Sequence, residues 1–107
     1  MSRHDDSVRI QHMIDHAREA IDLASQRTRA DLDRDRIFNL AMVRLLEIIG
    51  EAAARVTEVG RERYPRVQWP EIVGMRNRIV HGYDQINFDI VWTVITQDLP
   101  ALLEALK

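Results

Sequence analysis

The chain has 107 residues, 46% of them hydrophobic and 30% charged, with a formal net charge of −2 and no cysteine. That is one domain (residues 1–107), able to bury roughly 65% of the surface its unfolded form exposes, and it excludes disulfides, thiolate metal sites and any global electrostatic pull on nucleic acid. No apolar run approaches the ~20 residues of a membrane span, and the opening Met1-Ser2-Arg3-His4-Asp5-Asp6 lacks the apolar core of a signal peptide, so a cytoplasmic protein without membrane contact is expected.

The pattern is helical throughout. In the first segment Ile10, Met13, Ile14, Ala17, Ile21 and Ala24 recur at three- and four-residue spacing, which predicts a helix over about residues 5–26 capped by Asp5, Asp6 or Ser7. The polar stretch Arg27 to Arg34 reads as a connection. The second segment is the longest, with Ile37, Leu40, Ala41, Leu45, Ile48, Ala52 and Val56 on one stripe, widened by Leu46, Ile49 and Ala53 as for a central helix. Gly50 within it costs about 1 kcal/mol of helix propensity, which makes sense where another backbone comes close.

Pro65 ends a short turn. Trp69-Pro70-Glu71 then opens a third helix, with proline in the first turn beside an acid. This helix carries Ile72, Val73, Met75, Ile79 and Val80, contains Gly74, and is expected to fray around His81-Gly82. Asn87 or Asp89 starts the last helix, which Pro100 kinks or restarts. No stretch alternates with period two. The fold expected is all-α, an antiparallel four-helix bundle with a short additional helix or turn.

The stretch Arg76-Asn77-Arg78-Ile79-Val80-His81-Gly82-Tyr83 concentrates the chemistry. An imidazole with an ordinary pKa near 6.5 can take a ribose 2′-hydroxyl proton or protonate a leaving oxygen. A guanidinium can stabilise charge building on a phosphate. His81 and Arg76 are the candidates for those roles, with Asn77 orienting imidazole or ribose and Arg78 in support. On a continuous helix Asn77 and Arg78 neighbour His81, whereas Arg76 lies about 140° away. Arg76 and His81 therefore converge only if the helix ends before His81, if Arg76 reaches round, or if a second copy of the segment contributes across a twofold axis. The local charge agrees with an anionic ligand, with five arginines from Arg61 to Tyr83 against Glu62 and Glu71.

Arg44 and Glu47 form an i,i+3 pair, and Glu47 or Glu51 is available to position a motif arginine. His12 and His16, four apart with Asp15 between them, have metal-ligand spacing without an evident third ligand and read as a surface face. Trp69 and Trp92 read as core or interface. No Gly-rich phosphate loop, Ser/His/Asp set or acidic cluster for magnesium is present, so no metal and no cofactor are expected.

Arg76-x4-His81-x-Tyr83 resembles the RX4HXY signature of HEPN-domain toxins of the HepT kind. Leu46-Glu47-Ile48-Ile49-Gly50-Glu51-Ala52, Trp69-Pro70-Glu71-Ile72-Val73-Gly74-Met75-Arg76-Asn77 and Val91-Trp92…Asp98-Leu99-Pro100 extend the resemblance from about Arg9 to Leu106. It implies an all-helical dimer acting as a metal-independent ribonuclease toxin, with Arg76 and His81 as the catalytic pair and RNA as substrate. It also implies a partner, an MntA-like nucleotidyltransferase antitoxin, that transfers AMP to the motif tyrosine, here Tyr83. The alternative is a non-catalytic nucleotide- or RNA-binding subunit of that nucleotidyltransferase.

Overall fold

Helix α1 spans Arg3–Ala24 and α3 spans Arg36–Ala54, and the two lie side by side as the spine of the molecule. The computed structural model describes residues 3–107. Around the spine come α2 (Asp31–Arg34), α4 (Glu58–Glu62), α5 (Trp69–Val73), α6 (Met75–Ile79), α7 (Phe88–Thr93), a wide-turn segment Val94–Asp98 and α8 (Leu99–Ala105). The fold is an all-α bundle, 74% helical. Its four layers are α1, α3, the α5–α6 pair and the α7–α8 run.

The core is the apolar face of each layer. Met13, Ala17 and Ala20 of α1 meet Met42, Leu46, Ile49 and Ala53 of α3, and Met75, Ile79, Val91, Val94 and Leu99 close the other side, all with no exposed surface. Each large side chain so buried contributes roughly 1.5–3 kcal/mol. Of the caps expected for α1, Asp5, Asp6 and Ser7 lie inside the helix, because it begins earlier, and the position before Arg3 falls outside the described residues. Asp6 turns inward instead. Its carboxylate accepts from the Thr57 backbone N–H at 2.9 Å and from the Thr57 hydroxyl at 2.5 Å, tying α1 to the start of α4.

Three further features depart from the sequence reading. The connection after α1 contains α2, a single turn held by Asp31 accepting from Thr28 N–H at 2.7 Å and by buried Leu32. On α3 the expected stripe is rotated: Ile37 is 82% and Leu40 51% exposed, while Phe38 and Asn39 face inward. Asn39 is tolerated there because its side-chain N–H donates to Leu32 C=O at 2.9 Å. The third helix is broken at Gly74 into α5 and α6, where a Cβ would lie 3.0 Å from Pro70 C=O.

In the last layer Asn87 caps α7 as expected, accepting from Ile90 N–H at 3.1 Å. Pro100 restarts the run, as expected. The turn before it widens, with Leu99 N–H donating five residues back to Val94 C=O, and Pro100 then sits in the first turn of α8, where no donor is required.

Gly50 meets the expectation of a close backbone. A Cβ there would stand 3.0 Å from Met75 Cβ and 3.1 Å from Ile72 C=O. Its absence lets α3 and the α5–α6 break come together, and this contact sets the direction of α6.

Candidate functional site

Helix α6 changes character from one residue to the next. Met75 is buried against Gly50 of α3, and Arg76 directly follows it into solvent. There its Nε lies 3.7 Å from Glu47 Oε2, a carboxylate supplied by the same stretch of α3. Glu47 also sits 3.7 Å from Arg44 Nη1, and the same Arg44 nitrogen lies 3.4 Å from Glu51 Oε2. Glu47 is thus the motif arginine's neighbour, whereas Glu51 pairs with Arg44.

The helix stops at Ile79, before the histidine. Val80 is extended (φ −91°, ψ 124°) and pairs with Ile86 in an antiparallel bridge. Asn87 N–H donates to Ile79 C=O at 2.8 Å, and His81 N–H to Gln85 C=O at 2.6 Å. Gly82 takes φ +84°, a left-handed conformation that glycine adopts at no steric cost. The result is a short loop pinned at both stems, with His81, Gly82, Tyr83, Asp84 and Gln85 exposed at its tip. His81, Gln85, Ile86 and Asn87 line a shallow cleft of about 380 Å³.

The structure separates the sequence candidates. Asn77 and His81 do not share a helix face, because α6 ends between them; Asn77 is exposed on the helix. Arg78 points away from the loop and donates through Nη2 to Asp98 Oδ2 at 2.8 Å. Asp98 closes the wide-turn segment, so this ion pair clamps α6 to the last layer, and the other terminal nitrogen of Arg78 is buried without a partner. Arg78 belongs to the scaffold by its contacts. Tyr83 is 96% exposed.

His12 and His16 pack edge to face, with His16 Nδ1 2.7 Å from His12 C=O, and among the described residues no group of three or more potential ligands could hold a metal. Trp69 is core, donating to Tyr64 C=O at 3.1 Å.

Two contributions escaped the sequence reading. The role of Asp98, which the resemblance named without a partner, is one; Arg78 lies twenty residues away, beyond any local spacing rule. Gln85, whose carbonyl holds the His81 backbone, is the other, and the left-handed Gly82 is the only local sign of the turn that brings it there.

Comparison with known proteins places the chain in a family. The model of the family described as Ribonuclease HepT-like matches residues 13–107. The chain belongs to the HepT-like ribonuclease family. A relative from Caldanaerobacter subterraneus, named as a candidate RNase, is 33% identical over 98 residues, covering 92% of this chain and 88% of its own. Another, similarly named, from Methanocaldococcus jannaschii is 29% identical over 102 residues, covering 95% and 94%. The probable ribonuclease HepT of Thermococcus cleftensis is 32% identical over 88 residues, covering 78% and 80%. No solved structure gives a significant match. No helix among the described residues of this HepT-like chain is long and apolar enough to cross a membrane.

Proposed function

We propose that this HepT-like protein is a metal-independent endoribonuclease toxin that works as a homodimer and is silenced by a nucleotidyltransferase antitoxin acting on Tyr83. The observation that carries the reading is the end of α6 at Ile79, which frees His81 into a pinned, exposed loop while Arg76 stays anchored beside Glu47.

In this reading an RNA phosphate sits against the Arg76 guanidinium. The His81 imidazole takes the 2′-hydroxyl proton, and the alkoxide attacks phosphorus. The bond to the 5′-oxygen breaks, leaving a 2′,3′-cyclic phosphate. A second imidazole, protonated and supplied by His81 of the other protomer, returns a proton to the leaving oxygen. Arg76 faces the extra negative charge of the transition state. Two imidazoles in opposite protonation states are a reason for a twofold site. Ile37 and Leu40, exposed on the α3 face that carries Arg44 and Glu47, offer apolar surface beside the motif for a second copy to cover.

Tyr83 supports the regulatory half. Its exposure leaves the phenol open to an enzyme carrying ATP. Transfer of AMP joins the phenol oxygen to the α-phosphate and releases pyrophosphate. The phosphodiester then places negative charge and bulk two residues from His81, where substrate phosphate would otherwise sit.

The test uses purified protein and a labelled RNA in EDTA. Cleavage is expected from the wild type and absent from Arg76→Ala. Incubation with the partner, ATP and magnesium should add AMP mass to Tyr83 and stop cleavage, and Tyr83→Phe should escape. Binding of RNA without cleavage would reassign the chain as a non-catalytic subunit of the nucleotidyltransferase.

A further inference from the structure

The face of α3 that carries Glu47 does not end at the motif. Positions 44, 47, 48, 51 and 55 recur at three- and four-residue spacing, so they share one side of the helix. At its far end that side meets α1 in an open groove of about 190 Å³ lined by Arg9, His12, Ile48, Glu51, Ala52 and Arg55. From Glu47 to Arg55 is eight residues, ~12 Å along the axis.

The groove's charges are not internally balanced. Its carboxylate, Glu51, already pairs with Arg44 at 3.4 Å. Among the described residues neither Arg9 nor Arg55 makes an ion pair. The Arg9 Nε–H is shut away from water without an acceptor. Two guanidinium groups with an imidazole beside them match phosphate oxygens in charge and in donor geometry. The backbone of a single-stranded RNA whose scissile phosphate lies at Arg76 passes this way if it follows α3 toward its C-terminal end.

We infer that Arg9, Arg55 and His12 form a second phosphate-binding subsite, holding the RNA backbone one or more nucleotides from the cleaved bond. The inference rests on the ribonuclease reading above and deepens it. It makes the protein a reader of an extended single strand rather than of one phosphodiester.

The experiment measures binding of fluorescein-labelled decauridylate by fluorescence anisotropy across a KCl series, in a His81→Ala background so that the RNA survives. Wild-type cleavage of the same RNA is followed in parallel. Arg9→Gln with Arg55→Gln should weaken binding at least tenfold near 100 mM KCl. The slope of log affinity against log salt should fall by about 1.4, because each single-strand phosphate contact contributes about 0.7. Arg9→Lys with Arg55→Lys should retain most of the slope.

Unchanged affinity and slope in the Gln pair, with wild-type cleavage intact, would overturn the subsite and leave the ribonuclease reading standing. If the wild type neither binds nor cleaves RNA, both fall. Equal losses in the Lys and Gln pairs would assign the arginines to packing. If the Gln pair loses binding to a glutamate-rich peptide and not to RNA, the groove belongs to a protein partner.

Discussion

The α3–α6 junction and the loop that follows α6 meet on one short stretch of chain, from Met75 to Gln85, yet they obey opposite rules. The junction is tightly packed: a methyl group at Gly50 would stand only 3.0 Å from Met75 Cβ, and Met75, Leu46 and Ile49 are fully buried. In the loop the tip residues touch little but solvent, and order comes from backbone hydrogen bonds at the stems and one left-handed glycine. The junction therefore fixes where Arg76 is, and the loop fixes what stands near it. Changes in the loop should alter chemistry without stability, and changes at the junction should alter stability first.

The sharpest test is His81→Ala. It should lower RNA cleavage by about 10²- to 10⁴-fold, the usual contribution of a positioned acid or base, while the melting temperature moves by no more than about 1 °C. A large drop in melting temperature, measured by differential scanning fluorimetry, would break the separation between the two regions.

Met75→Ala should do the reverse, costing about 2–5 kcal/mol in urea unfolding for a core truncation. Cleavage by the fraction still folded should fall only as far as Arg76 is displaced. Undiminished stability would mean that the junction is not the anchor.

Glu47→Gln tests the link between the regions. The pair is half exposed and 3.7 Å long, so its loss should change stability by less than about 1 kcal/mol. Cleavage should drop roughly tenfold (about 1.4 kcal/mol of transition-state stabilisation) if Glu47 orients Arg76. Wild-type kinetics in this variant would limit Glu47 to surface charge.

The smallest effect lies far from both, at Asp6. The Thr57 hydroxyl, then the Thr57 N–H, hold its carboxyl below the ordinary value of 3.8. The unfolded chain binds the proton more readily, so this contribution is full above about pH 4 and is lost as pH falls through the lower native pKa. Asp6→Asn should be less stable than wild type at pH 7, and the gap should narrow below pH 4 in thermal melts. A gap that stays constant with pH would remove the charge from the explanation.

Much of this fold was legible in the sequence because helical periodicity is local. The start of α5 at Trp69-Pro70, the Asn87 cap and the close approach at Gly50 each followed from a residue's own geometry. What escaped depends on distant partners. Ile37 matched the apolar spacing of α3 as well as Phe38 did, and only the position of the neighbouring layers decides which faces inward. The break at Gly74 and the wide turn before Pro100 are ways for helices to keep contact with α3 and α1, which no local pattern reports. At the site, residue types and order were readable, and the need for the helix to end before His81 was one of three options left open. That α6 stops at Ile79, slightly before the fraying expected around His81-Gly82, is settled by the Val80–Ile86 bridge, a pairing across six residues.

The pinned stems of the motif loop have an evolutionary consequence. With Ile79 and Asn87 hydrogen-bonded to each other, the residues between them form a cassette closed at its base. Lengthening such a loop adds only fractions of a kcal/mol in closure entropy per residue, so the bundle has little stake in what its tip contains. A lineage can then exchange residues around Tyr83 and Asp84, changing which molecule reaches the imidazole or which enzyme modifies the phenol, with no matching substitution in the core. Insertion of one glycine after Asp84 should leave the melting temperature nearly unchanged while altering cleavage, a decoupling that would let the recognition edge of the protein diversify faster than its frame.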